Sequence, residues 1–189
     1  LMQSLIVSKI NYDDIIVGDK NAIMVASRVL GYGKDYTFTY KNEEVTVDLS
    51  EIAPKEINPE DLVEKNTNEF SFVLPHTNTP ITFKILNNKD EKAIAAEVKG
   101  LKKINKSSSA ELSTRLKHMI LSVNGDSSMK AIREFVDKYF LARDSRAFRE
   151  HIKEIQPDMD LTFDFISEGG DVEEGVKIPI GVTFFWPDL

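Results

Sequence analysis

Histidine, serine, glycine and paired carboxylates carry metal, nucleophilic, phosphate and acid–base chemistry, and each can be weighed by its spacing. Of the three histidines, His76 sits in a turn. His118 lies off the apolar stripe of its predicted helix and is expected to face solvent, and His151 flanks Phe148 and Ile152. A helical metal site needs ligands one turn apart, such as two histidines at i and i+4. Only Glu150-His151-Ile152-Lys153-Glu154 approaches that pattern, and it has no second histidine. Solvated or helix-edge histidines are the simpler account, so no metal ligand is assigned. No serine stands in a Gly-x-Ser-x-Gly elbow, and Ser107-Ser108-Ser109 reads as a linker and N-cap before a helix. Gly31-Tyr32-Gly33 follows a helix rather than a strand, the wrong order for a dinucleotide loop, and Gly169-Gly170 suits a hairpin turn. Asp13-Asp14, Glu43-Glu44, Glu60-Asp61 and Glu173-Glu174 are paired carboxylates. They would do acid–base work only across a cleft, and adjacent acids are ordinarily solvated surface. No catalytic or cofactor-binding residue is therefore assigned.

What remains is the chemistry of contact. Lys99, Lys102, Lys103 and Lys106 cluster at a helix C-terminus, where lysines oppose the dipole. No aromatic platform interleaves them, as a nucleic-acid surface would require. Arg143, Arg146 and Arg149, three apart, line one face of a helix that opens near Asp144. They serve either as surface ion-pair partners or as an Arg-bearing protein interface, for which the planar guanidinium is suited. Phe184-Phe185-Trp186 divides in the same way, between closing a core and anchoring a partner. Strand alternation would send at least one of the three away from the core. These six residues are the candidate protein-interaction site.

The elements that must position them belong to a chain of 189 residues with 24 Lys+Arg, 31 Asp+Glu and no Cys, a formal net charge of −7. That length can bury most of its extended-state surface without disulfide or metal staples. The lack of cysteine excludes disulfides, thiolate zinc sites and iron–sulfur clusters. The acidic balance argues against nucleic acid and anionic lipid as partners, and no apolar run approaches a membrane span. A helix is expected over residues 20–30, with Asp19 as N-cap and Gly31 at its end. Tyr36–Tyr40 and Val45–Leu49 alternate as a first hairpin. Residues 51–69 read as a long connection with one helical turn after Asn58-Pro59. Phe70–Leu74 and Ile81–Ile85 form a second hairpin. Helices are expected over 89–104, over a stripe of Leu112, Leu116, Met119, Ile120 and Val123 closed by Asn124-Gly125, behind an Asp126 or Ser127 cap through Met129, Ile132, Phe135 or Val136, and Tyr139, and from an Asp144 cap through Phe148, Ile152 and Ile155 to Pro157. A third hairpin pairs Leu161–Phe165 with Val176–Val182, with Pro179 forcing an edge or a bulge. The order predicts an α+β fold of three antiparallel hairpins and four to five helices. It is read as one domain over 1–189: a hairpin-rich region at 35–86, a helical region at 87–157, and a C-terminal hairpin at 158–189 returning to the sheet region.

Several segments in this order resemble a known family. They are Val17-Gly-Asp-Lys-Asn-Ala-Ile23, Arg28-Val-Leu-Gly-Tyr-Gly33, Val47-Asp-Leu49, Phe72-Val-Leu-Pro75, Phe83-Lys-Ile-Leu86 through Asp90-Glu91, Ala131-Ile-Arg-Glu-Phe-Val136, Ala142-Arg-Asp-Ser-Arg146, Pro157-Asp-Met-Asp-Leu161, and Pro179-Ile-Gly181 with Phe184-Phe-Trp-Pro187. Together they look like the baseplate hub assembly chaperones of T-even type bacteriophages, over nearly the whole chain. The family carries a further segment ahead of the part matched here. Many relatives have a Cys-x-x-Cys knuckle in the first hairpin and another in the last. The matching positions fall near Tyr40 with Glu43 and Ser167 with Gly170, none of them a zinc ligand pair. If one zinc pins the two hairpins together in relatives, this chain must pin them by contact, with Phe38, Phe163 and Phe165 as candidates.

The resemblance implies a protein that is not an enzyme, acting by protein–protein binding on phage baseplate or hub proteins, with the oligomeric state left open. It implies residence in the host cytoplasm during assembly or in the virion tail baseplate. Competing readings are a permanent structural subunit of that baseplate, an acidic regulator that binds a host protein, and a hydrolase built on the carboxylate pairs. The acidic regulator needs carboxylates gathered on one face, whereas here they are mixed with lysines along every helix.

Overall fold

The computed structural model describes residues 6, 7, 10–55, 58, 60, 62, 63, 67–104, 109–167 and 169–186. A 3₁₀ turn at Tyr12–Asp14 leads to α1 (Val17–Tyr32), β1 (Asp35–Tyr40), β2 (Glu43–Asp48), β3 (Pro54–Lys55), β4 (Phe70–Val73) and β5 (Pro80–Phe83). Then come α2 (Asn88–Ile104), α3 (Ser109–Met119), β6 (Ile120–Val123), α4 (Met129–Glu134), a π-helical turn at Phe135–Tyr139, and α5 (Ala142–Ile155). The chain closes with β7 (Asp158–Met159), β8 (Thr162–Ile166), β9 (Val172–Lys177) and α6 (Val182–Phe185). Every strand pair among the described residues is antiparallel, and the fold is α+β. The expected hairpins are β1–β2, β4–β5 and β8–β9, but the return strand of the last is Val172–Lys177 rather than Val176–Val182, and Val182 begins a helix. The helical turn expected after Asn58-Pro59 and the linker before α3 lie largely outside the described residues.

The chain divides into two compact units. The first takes the described residues of 1–9, 18–55 and 157–189. Helix α1 starts at Val17 and runs past Gly31; it ends at Gly33, whose φ of +85° only glycine adopts cheaply. Gly18 lies so close to Pro157 that a Cβ would sit 2.0 Å from the Pro157 carbonyl oxygen. Beside it, Asn21 donates to the Asp158 carboxylate at 2.7 Å, and β3 pairs with β7. The β1–β2 loop is Lys41-Asn42, both at positive φ, the primed turn that matches strand twist. The core is Val25, Tyr36, Leu49, Ile178 and Phe184. Strand β9 ends at Lys177, so Pro179 interrupts no ladder; instead its carbonyl accepts the Tyr36 hydroxyl at 2.8 Å. The bulge lies earlier, at Gly175, whose N–H donates to Asp164.

The second unit takes the described residues of 10–17 and 56–156. Its sheet order is β4-β5-β6, and its core joins Phe70, Phe83, Leu116, Ile132, Phe148 and Ile152. Two sequence expectations change here. The helix read through Val123 stops at Met119, and Ile120–Val123 becomes a strand with Val123 opposite Ile81 and Ile120 opposite Phe83. Ile120 and Val123 suit either period, and the open edge of β5 decides for the strand. Asn124-Gly125 therefore turns a strand rather than ending a helix. In the next helix the cap is Ser128, and the π-helical turn lets Phe140 N–H reach the Phe135 carbonyl. That extra residue per turn shifts the phase. Phe140, not Tyr139, packs its ring against Phe135 and Phe148, and Tyr139 is left 59% exposed. At the start of α2, Asn87 and Asp90 exchange side-chain and backbone hydrogen bonds as a reciprocal cap.

Candidate functional site

The arginine face is built on α5. Burial of Phe148 and Ile152 on one side of the helix turns Arg143, Arg146 and Arg149 outward, and all three are exposed. Arg146 pairs with Glu150 one turn on, Nε to Oε1 2.9 Å, while the Arg149 Nε donates to the Ser145 carbonyl. Asp144 is not the N-cap of this helix. It is fully buried, and its two carboxylate oxygens accept the N–H of His76 at 2.8 Å and the N–H and hydroxyl of Thr77 at 3.2 and 2.8 Å. Burial pushes this carboxyl up, but the hydrogen bond from His76, those from Thr77 and the charge of His76 outweigh it and hold the pKa below the ordinary value. The carboxylate thus locks the β4–β5 turn onto the first turn of α5, leaving the arginines on a fixed scaffold.

Sequence reasoning missed the residues beside that face. Tyr139 and Leu141, 59% and 50% exposed, stand immediately before Arg143. Tyrosine and arginine close together in the chain, as Tyr139 and Arg143 stand here, are the composition of a contact hot spot. The available signal was the run Tyr139-Phe140-Leu141, whose middle residue alone enters the core.

The aromatic tail belongs to the other unit. Phe184 is 0% exposed, meets Tyr36 edge-on at 4.9 Å, and is a core residue rather than a surface anchor. Phe185 is half-buried against it. The tail is a short helix, not a strand, so the residues sort by helical period. The Trp186 N–H closes onto the Val182 carbonyl, and this pair is exposed at 48% and 64%. The surface offered is Val182 with Trp186.

The first and last hairpins meet through rings. Phe38 lies edge-on to Phe163 at 5.2 Å, and Tyr40 edge-on to Phe165 at 5.0 Å and to Phe163 at 5.8 Å. Alternation puts Tyr36, Phe38 and Tyr40 on one face of β1. Lys41 caps this stack, pairing with Glu173 and lying over the Tyr40 ring, while the Tyr40 hydroxyl also reaches Glu173. The hydrogen bond from Lys41 holds the Glu173 carboxyl below its ordinary value.

The histidines are all accounted for locally. His76 lies in the turn clamped by Asp144; His118 is half-buried and 3.0 Å from Glu97 rather than turned to solvent; His151 stacks on Phe72 at 4.4 Å. Among the described residues no three His, Cys, Asp or Glu side chains converge as metal ligands, and no helix is long and apolar enough to cross a membrane. Comparison with protein-family models, curated proteins and solved structures found no match to this chain.

Proposed function

We propose that this chain is a phage tail protein that acts by protein–protein binding in assembly of the baseplate hub, as an assembly chaperone. The observation that carries this reading is the meeting of the first and last hairpins. The resemblance aligns Tyr40 and Ser167, more than a hundred residues apart, with two knuckles that would share one zinc. Supporting the reading, Phe38, Tyr40, Phe163 and Phe165 are in ring contact at this junction, and Lys41 bonds Glu173. A cysteine-free chain would need such a contact to keep the same joint. The exposed Tyr139, Leu141 and Arg146, and separately Val182 and Trp186, supply the surfaces by which a hub subunit would be held until it is incorporated.

The test is mass spectrometry of purified virions and of infected-cell lysate. A chaperone is absent from mature virions and bound to a tail protein in lysate. A whole-number ratio to tail proteins in the virion would make it a permanent baseplate subunit instead, and absence from both would overturn the reading. Against the captured tail protein, Arg146→Ala and Trp186→Ala are expected to weaken binding about tenfold each. Unchanged affinity for both folded variants would remove these surfaces from the site.

A further inference from the structure

Helices α2 and α3 pack on one another, and between them runs a groove of about 590 Å³. Two rows of α2, each stepping by four residues, make its floor and one wall. Ile94 and Val98 lead to Lys102, and Ala95 leads through Lys99 to Lys103. These rows of α2 therefore run from apolar to basic, while Glu91, Glu111 and Arg115 complete the lining. Across it, Arg115 of α3 is already engaged, both terminal nitrogens bonding Glu91 at 2.9 and 2.6 Å. Its fork is satisfied, so the free positive charge of the groove comes from the lysines.

Among the described residues some lysines are paired and others are not, Lys89, Lys130 and Lys177 being exposed and unpaired too; what sets Lys99, Lys102 and Lys103 apart is that they border one groove. Lys34, Lys41, Lys84, Lys92, Lys117 and Lys138 each hold a carboxylate. Lys99, Lys102 and Lys103 are exposed and have no hydrogen bond or ion pair with any described residue, although acids outnumber bases 31 to 24. Opposition to the helix dipole accounts for Lys102 and Lys103 in the last turn of α2. It does not account for Lys99, a turn earlier, nor for all three bordering one groove.

We infer that this groove docks an acidic amphipathic helix of a partner protein. From Glu91 to Lys103 the groove follows roughly 18 Å of helix axis, about three turns, the length at which a helix lies in a groove by one face. The occupant places small apolar side chains over the exposed Ala95 and the narrow edges left by Ile94 and Val98, which are 3% and 7% exposed. Carboxylates spaced by one turn then meet Lys99 and the Lys102–Lys103 pair. A nucleic acid would find the lysines but no use for the apolar side chains. The site is separate from the α5 face and does not depend on the phage assignment.

The test is fluorescence anisotropy with labelled helical peptides of about 14 residues, long enough for the groove. Each carries three leucines on one face of one half and three glutamates continuing that face in the other, in both orders so that either direction is covered. A twin has lysine for each glutamate. One acidic peptide is expected to bind with a Kd of order tens of micromolar, while the twin does not bind. Joint Lys99→Gln, Lys102→Gln and Lys103→Gln weakens binding at least about tenfold, and Glu111→Gln, removing the groove's opposing acid, tightens it roughly twofold. Circular dichroism checks that these surface variants stay helical, and amide shifts on binding should fall between residues 91 and 103. No binding below about 1 mM by either acidic peptide, equal binding of the twin, or affinity untouched by the triple variant would overturn the inference. Competition by a single-stranded oligonucleotide would overturn it in favour of a general polyanion surface. Self-association abolished by the triple variant would overturn it in favour of a second copy as occupant.

Discussion

Asp144 is legible in the sequence as an acid at a helix start, but its donors are not, since they come from a turn 68 residues earlier. A local cap and a long-range latch use the same residue type at the same place, and only tertiary contact tells them apart. The difference has a size. Asp144→Ala leaves the His76 and Thr77 donors without their buried acceptor and is expected to cost about 3 kcal/mol, read as a shift of the urea midpoint at unchanged slope. The sign of its pH dependence follows from its lowered pKa. The folded chain takes up this proton at lower pH than the unfolded chain does. The contribution is therefore complete above the unfolded value of about 3.9 and is lost as pH falls through the folded value. The stability gap between wild type and Asp144→Asn should narrow between pH 5 and pH 2, and a gap that widens would refute the latch. The six candidate contact residues divide similarly. Composition and spacing find the exposed arginines of α5, whereas Phe184 needs the fold to reveal it as core.

Among the elements, the long periodic ones are readable and the junctions are not. α2 and α5 lie close to where their apolar stripes put them, because burial of one face dominates their energetics. β6 is misread as helix because its partner β5 lies 40 residues away in sequence, as in the Thr82–Ser122 hydroxyl pair. The π-helical turn is invisible in the pattern because one inserted residue exchanges the roles of Tyr139 and Phe140. The junction of the first and last hairpins is carried by rings rather than by its ion pair. Phe163→Ala should lower stability by about 2 kcal/mol, since the ring is partly buried and touches two others. Lys41→Ala should change the melting temperature little, because exposed pairs are screened. Calorimetry on both variants checks the order, and a larger loss for Lys41→Ala would reverse this account.

At the scale of the molecule, the two units differ in how they use the chain. One is drawn almost wholly from the middle, and the other joins the described residues of 1–9 and 18–55 to those of 157–189. Fold class is legible from the order of elements, but this division is not, because strand and helix patterns carry no record of which distant segment completes a core. Removing residues 157–189 takes away β7, the ring partners on β8, and Phe184. Amide exchange should then become fast across α1, β1 and β2 while residues 70–83 and 120–152 keep their protection. Retained protection in β1 would show that its unit does not need the later segment. The same arrangement sets an order of events during synthesis. A ribosome adding roughly 10 residues per second releases the β1–β2 ribbon on the order of 10 s before β8 emerges to cover it. For that interval Tyr36, Phe38 and Tyr40 stand unshielded on a lone two-stranded ribbon, which is marginal in water at best. The later segment therefore completes the earlier one, and premature termination before β8 yields a chain whose central unit can close while its aromatic ribbon stays open to the cell.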